Sequence, residues 1–156
     1  MSLRERLIDY SKGDDLHHFW KLYARQQAAS NCLLRDYYTF RVNRAAQRHG
    51  GYVGPGAVFE GKPSLPHGLH GVYISRYAVI GRGCRIYQNV TIGEIDHKAP
   101  IIGENCLIGA GAVLVGGIRI GKDVRIGAGA VVCSNVPDHS TVVAQPARVL
   151  VRGCGN

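Results

Sequence analysis

The stretch IGENCL IGAGAV LVGGIR IGKDVR IGAGAV V, residues 102–132 written in blocks of six, decides the fold. Each block opens on an aliphatic residue: Ile102, Ile108, Leu114, Ile120, Ile126 and Val132. Gly usually follows, at 103, 109, 121 and 127. Four places after the aliphatic stands a small or β-branched residue, as at Cys106, Ala112, Ile118, Val124 and Ala130. A period of six matches neither the helical repeat nor the two-residue alternation of an ordinary strand. It is the period of a parallel β-helix, in which each hexapeptide supplies one short strand and one corner, and three close a coil of about 18 residues. The aliphatic column then points inward and stacks from coil to coil, and the Gly relieves crowding at the corner.

Upstream the same register runs through Ile74, Ile80, Ile86 and Ile92, and more weakly through Val53, Phe59 and Leu65. It breaks twice. The step from Leu65 to Ile74 is nine residues and that from Ile92 to Ile102 is ten. Surplus residues in a solenoid must leave the wall as loops at a corner. The first loop holds Pro66-His67-Gly68-Leu69-His70 and the second Glu94-Ile95-Asp96-His97-Lys98-Ala99, so three of the chain's seven histidines fall in the only two interruptions of the core repeat. Loops held out from a rigid scaffold are where chemistry is usually carried.

Residues 1–50 read differently, as a helical segment ahead of a β-helical domain at 51–156. Ser2 and Glu5 have the spacing of a capping box for a short helix with Leu3, Leu7 and Ile8, ended by Gly13. Asp14 or Asp15 is placed to cap a second helix carrying Leu16, Phe19, Trp20 and Tyr23 on one face. Asn31 is placed to cap a third carrying Leu34, Tyr37, Tyr38 and Ala45, with Gly50-Gly51 as its stop. Arg41, Arg44 and Arg48 share a face of that helix, either as a solvated stripe or as a contact for an anionic ligand or a neighbouring subunit.

Composition agrees with the pattern. Gly is abundant, at 21 of 156 residues, as a solenoid with tight corners needs. The formal net charge is +8, but nine of the 19 Lys and Arg lie in the first 50 residues and the rest are scattered, so no basic run marks a nucleic-acid tract. No apolar stretch approaches the roughly 18 residues of a membrane span, and no signal-peptide core follows Met1. The five cysteines (32, 84, 106, 133 and 154) form no C-x-x-C pair, and Cys84 and Cys106 occupy inward small-residue positions. Free thiols in a reducing, cytoplasmic compartment are the expectation. There is no Gly-x-x-x-x-Gly-Lys-Ser/Thr loop to support nucleotide hydrolysis.

Several motifs together resemble the hexapeptide-repeat acetyltransferases of the serine O-acetyltransferase type. They are Pro66-His67-Gly68-Leu69, Val72-Tyr73-Ile74-Ser75, Ala78-Val79-Ile80-Gly81, Ile86-Tyr87-Gln88-Asn89-Val90-Thr91-Ile92-Gly93, the paired Ile-Gly-Ala-Gly-Ala-Val repeats opening at Ile108 and Ile126, and Val143-Ala144-Gln145-Pro146-Ala147-Arg148. The resemblance spans roughly residues 52–150. It implies a mainly β fold, a left-handed parallel β-helix with a short N-terminal α-helical segment. It also implies a homotrimer with active sites between subunits, and acetyl-CoA as acyl donor to a hydroxyl. By place in the motif, His67 takes the catalytic position. Ala110 and Ala128 match positions lining the CoA arm, and Pro146 and Arg148 match the turn near its nucleotide end. Two departures stand out: Pro66 occupies the place of an Asp that normally precedes the catalytic His, and Tyr52-Val53-Gly54-Pro55 lacks the upstream Asp. The acceptor is accordingly a sugar or polysaccharide hydroxyl, or serine.

Transfer from a thioester needs a base for the hydroxyl proton, a donor for the oxyanion and alignment of both substrates. Histidine suits the first task because it titrates near neutral pH, which makes His67 the candidate base. His97, His70 and Asp96 are the candidate acceptor-binding side chains. The oxyanion donor is expected to be a backbone N–H, with Gly93 close to it and to the donor. A direct transfer needs no cysteine nucleophile. Two other readings of the same residues are a zinc hydro-lyase of the carbonic anhydrase type using His67, His70 and His97, and a β-helical scaffold without catalysis.

Overall fold

A computed structural model describes Arg4 and residues 16–145. The expected first helix, with its cap at Ser2 and stop at Gly13, lies outside the described residues apart from Arg4, as do Asp14, Asp15, Pro146 and Arg148. Among the described residues two full helices, α1 (His17–Ala28) and α2 (Cys32–Arg48), precede thirteen short strands, β1 (Tyr52–Val53), β2 (Val58–Phe59), β3 (Tyr73–Ile74), β4 (Val79–Ile80), β5 (Arg85–Ile86), β6 (Thr91–Gly93), β7 (Ile101–Ile102), β8 (Leu107–Ile108), β9 (Val113–Val115), β10 (Arg119–Ile120), β11 (Arg125–Ile126), β12 (Val131–Val132) and β13 (Thr141–Val142).

The strands build the three walls of a parallel β-helix. Side A stacks β1-β3-β6-β9-β12, side B stacks β2-β4-β7-β10, and side C stacks β5-β8-β11-β13. The register aligns the opening residue of every hexapeptide: Ile74 pairs with Ile92, Ile92 with Leu114, Ile80 with Ile102, and Ile86 with Ile108. These aliphatics are fully buried, and the second inward column of Ala57, Ala78, Cys84, Val90, Cys106, Ala112, Val124 and Ala130 fills the space between them. Each such aliphatic removed from water contributes about 1.5–3 kcal/mol.

Bridges extend the stack at both ends. Ser64 pairs with Arg85, so residues 64–65 form side C of the first coil, and Ile120 pairs with Val136, so the coil continues past Val132 into a fifth turn closed by β13. The periodicity fades there because the step from Val132 to Val136 is only four residues.

Backbone N–H groups of each coil donate to carbonyls of both neighbouring coils, as Val58 does onward to Ala78 and Ile86 does back to Ser64. The first coil therefore presents N–H and C=O groups with no coil beyond them, an open edge that must be covered. The helices cover it. The Tyr23 hydroxyl donates to the Ala57 carbonyl at 2.6 Å, and Trp20 and Tyr23 pack edge-on against Phe59 at 5.3 and 5.5 Å. Asn31 caps α2 as expected, its Oδ1 accepting from the Leu34 amide at 2.7 Å. The helix ends in a Schellman motif, with Gly50 at φ +70 and the Gly51 and Gly50 amides on the Ala46 and Gln47 carbonyls.

Two helical expectations need correction. The cap position of α1 falls on Leu16, not on Asp14 or Asp15, and among the described residues no side chain caps the helix. The buried residues of α2 are Val42, Ala45 and Ala46, whereas Leu34 and Tyr37 are exposed, because only the C-terminal half of α2 lies against the coil and α1.

Candidate functional site

The first interruption sits at the corner between sides C and A. Two successive turns form it, closed by Gly68 N–H to Leu65 O at 3.1 Å and Val72 N–H to Leu69 O at 3.0 Å. Leu69 plugs the core at 1% exposure, so the loop is pinned from inside while His67 and His70 remain at the surface. The His67 ring lies 6.0 Å from the ring of Tyr87, which belongs to the same corner one coil on. The loop also meets the end of α2: a Cβ on Gly51 would stand 2.3 Å from the Leu69 carbonyl oxygen, so only Gly fits there.

The second interruption is a β-hairpin at the corner between sides A and B. Ile95 and Lys98 exchange both backbone hydrogen bonds, at 2.9 and 3.0 Å. Asp96 (φ 50) and His97 (φ 60) form its two-residue tip. Two successive positive φ values define the primed turn that matches strand twist, a turn that normally calls for Asn-Gly. Here it is made from Asp-His, so conformational strain is carried where the candidate acceptor residues sit. The hairpin lies across Gly116 and Gly117, which leave room for the Ile95 and Lys98 side chains. The Tyr77 hydroxyl stands 3.4 Å from His97 Nδ1, and the Ser75 hydroxyl donates to Glu94 at 2.5 Å.

The candidate residues thus divide between two edges of side A. His67 and His70 share the C/A edge with Ala110 and Ala128, which stack through a hydrogen bond from Gly129 N–H to Ala110 O at 2.9 Å. Along that edge Gly111 and Gly129 face open space. His97 and Asp96 share the A/B edge, with Gly93 at the end of β6 just before the hairpin. One side of the prism separates the two sets, a span of roughly 15–20 Å for six residues of extended chain. A single chain does not bring His67 and His97 together. Tyr77 and Tyr87 escaped the sequence reading. The signal for both was available, since each precedes a corner in register with one of the interruptions.

Among the described residues no group of three or more His, Cys, Asp and Glu side chains is placed to hold a metal ion. The four described cysteines are free. Cys84 and Cys106 are buried, their thiols donating to the Gly103 and Gly121 carbonyls at 3.2 and 3.1 Å. The hydrogen bond to Cys106, and then burial, push the Cys84 thiol up, which suits a packing role rather than nucleophilic chemistry. No described helix is long and apolar enough to cross a membrane.

The fold and the two loop-bearing edges define a class, the hexapeptide-repeat transferases. Residues 99–134 match the family described as "Bacterial transferase hexapeptide (six repeats)". A serine acetyltransferase of Bacillus pumilus is 36% identical over 154 residues, which cover 95% of this chain and 68% of that protein. One from Synechococcus elongatus is 42% identical over 104 residues, 64% of this chain and 42% of the other. The structure of soybean serine acetyltransferase complexed with serine superposes with a TM-score of 0.66 at 35% identity, covering 75% of this chain and 49% of that one. The chain belongs to the serine acetyltransferase family. It spans less than half the length of the Synechococcus and soybean proteins.

Proposed function

We propose that the chain is an acetyl-CoA-dependent O-acetyltransferase acting as a homotrimer, with His67 as general base. The observation that carries this reading is the placement of the two loops on opposite edges of an apolar wall. The outward column of side A is Tyr73, Thr91, Val113 and Val131, without charge, whereas side C presents Arg85 and Arg125. Three prisms packed with side A toward a common axis set the C/A edge of each against the A/B edge of its neighbour. His67 of one chain then faces His97 of the next, which no single chain achieves.

At such an edge His67 takes the proton of the acceptor hydroxyl as its oxygen adds to the thioester carbonyl, and returns a proton to the departing thiolate. A backbone N–H near Gly93 receives the oxyanion. His97, His70 and Asp96 orient the acceptor. The open edge at Ala110, Gly111, Ala128 and Gly129 has room for an extended pantetheine arm, and Pro146 and Arg148 follow in sequence as contacts for its nucleotide end. The free cysteines suit a reducing cytoplasm.

Serine is the first acceptor to test, because the relatives bear that name. A sugar hydroxyl is the second, favoured by Pro66: no carboxylate stands in residues 66–71 to hold an ammonium group. Thiol release from acetyl-CoA, assayed with serine and with a sugar panel, separates the two. His67→Ala is expected to lower kcat by about 10²–10⁴-fold with the fold intact, and full activity in that variant would remove His67 as the base. Sedimentation giving a monomer at assay concentration would remove the shared site.

A further inference from the structure

The His97 side chain is tied by one polar contact, and that contact decides what the ring can do. The Tyr77 hydroxyl stands 3.4 Å from His97 Nδ1, and the two rings meet edge-on at 5.7 Å and 70°. Neither the hydroxyl nor the imidazole has another polar partner among the described residues. His97 is exposed, so Nε2 is the ring nitrogen left to meet a ligand. Tyr77 is itself held. Its backbone N–H donates to Ser75 Oγ at 3.2 Å, and the Ser75 hydroxyl donates to Glu94 at 2.5 Å. The corner after β3 and the hairpin one coil on are thus joined twice, Ser75 to Glu94 and Tyr77 to His97. The second tie falls on the strained tip, where His97 has φ 60.

The contact sets a tautomer. A phenol gives its proton readily and its oxygen accepts weakly, because the lone pair is shared with the ring, whereas the bare nitrogen of a neutral imidazole accepts well. The Tyr77 hydroxyl therefore donates to Nδ1, and the proton of the neutral ring sits on Nε2. When the ring is protonated both nitrogens carry hydrogen, and Nε2 is a donor again. Held in this way, Nε2 donates in both protonation states and does not serve as a base. We infer that Tyr77 is a positioning residue that holds His97 as a hydrogen-bond donor toward the acceptor; the link to catalysis rests on the transfer reading above. The two imidazoles brought to the proposed seam then have opposite tasks. His67 takes a proton, while His97 keeps its own and shares it with an oxygen of the acceptor. An ammonium group has no lone pair to accept it, so the acceptor turns an oxygen toward His97.

Tyr77→Phe keeps the edge-on ring and removes only the hydroxyl. Neutral His97 then divides between its two tautomers and loses its tether. Nitrogen NMR of the imidazole rings in the full chain reads this directly, with His97 assigned by the loss of its signals in His97→Gly. At a pH about 1.5 units above the ordinary His value of roughly 6.5, the parent should show Nδ1 bare and Nε2 protonated, and Tyr77→Phe a mixture. In thiol release at that pH, Tyr77→Phe should raise the KM of the acceptor about 2–10-fold, the range for one neutral hydrogen bond, and leave the KM of acetyl-CoA unchanged. At about one unit below the ordinary His value both proteins carry a proton on Nε2, so the ratio of acceptor KM values should shrink toward one. The charged groups of the two joined elements, Arg76 on the corner and Glu94, Asp96 and Lys98 on the hairpin, are the same in both proteins and shift both profiles alike. A KM ratio that does not change with pH marks Tyr77 as structural only and overturns the inference. A parent ring protonated on Nδ1, or ring signals unchanged in Tyr77→Phe, overturns it as well while sparing the transfer reading. The expected spectra with no thiol release from any acceptor sustain the tautomer and sink the transfer reading.

Discussion

Gly103→Ala is the sharpest test of the coil geometry. Gly81, Gly103 and Gly121 stack at the corner that follows side B. A Cβ on Gly103 would stand 2.7 Å from the Gly121 carbonyl oxygen, 2.8 Å from its carbon and 2.9 Å from the Lys122 nitrogen. All three are backbone atoms, so no rotamer change relieves the contact. The neighbouring coil would have to retreat by about half an ångström, against ladder bonds of 2.8 Å from Gly103 N–H to Ile120 O and 2.9 Å from Gly121 N–H to Val136 O. Overpacking of this kind costs about 1–3 kcal/mol, and a weakened ladder bond adds about 1 kcal/mol. The expected loss is therefore about 2–4 kcal/mol. Gly111 supplies the control. It has φ +70 and nothing within 4 Å of a built Cβ, so Gly111→Ala meets only the left-handed backbone cost of about 1–2 kcal/mol. Gly111→Asn should cost less, since Asn89 holds φ 59 in the preceding coil. Urea denaturation at one fixed protein concentration measures all three. A Gly103→Ala variant within about 0.5 kcal/mol of the parent, or one less damaging than Gly111→Ala, would refute the reasoning.

Three further outcomes follow from other parts of the molecule. His97→Gly should raise stability by about 0.5 kcal/mol by releasing a left-handed residue, yet lower kcat/KM by about tenfold or more; unchanged activity would remove His97 from the site. Tyr23→Phe strands the Ala57 carbonyl and should cost about 1–2 kcal/mol in the same urea assay. Burial pushes the Tyr23 phenol up, opposed in part by the backbone at Phe59, so the folded chain keeps a proton that the unfolded chain loses. Stability should then fall as pH rises above roughly 10, and this part of the slope should vanish in Tyr23→Phe; identical slopes would remove the buried phenol as its cause. Thiol labelling followed by peptide mapping should find Cys32 and Cys133 reactive in the native protein and Cys84 and Cys106 reactive only on unfolding; native labelling of Cys84 would contradict its place in the core.

The coil was legible because one rule repeats. An inward aliphatic every sixth residue has no alternative use over residues 102–132, and the observed register pairs the expected residues from Val53 to Val132. The fifth coil was not legible, since a two-residue shortening between Val132 and Val136 removes the periodicity that reveals the others. The helices were legible where a local device fixes them, as at Asn31 and Gly50, and illegible where packing decides. Leu34 and Tyr37 carry the apolar spacing of a buried face, yet nothing in that spacing says which half of α2 meets the coil. In the site, the interruptions marked both loops, but the hairpin at Asp96-His97 was hidden because its turn uses residues the conformation does not prefer.

The division of the site between two edges has a physical reason in the repeat itself. A wall of two-residue strands offers only hollows open to solvent on its outer faces, of about 230 Å³ beside Arg85 and Arg125 and about 460 Å³ beside Ile101 and Arg119, and any cavity inside the coils would break the aliphatic column that stabilises them. Convergent side chains have to be supplied from outside the wall, by loops at corners, and corners point away from one another. Two loops on one prism therefore cannot close on a small molecule. In the trimer we propose, they do so across the seam between prisms, with the uncharged outward column of Tyr73, Thr91, Val113 and Val131 as the apolar contact and His67 and His97 brought by the edges. The same constraint explains why the helices matter. The helices break the six-residue rule altogether and cover the end of the coil, as Tyr23 does at the Ala57 carbonyl, so the wall beneath them stays regular.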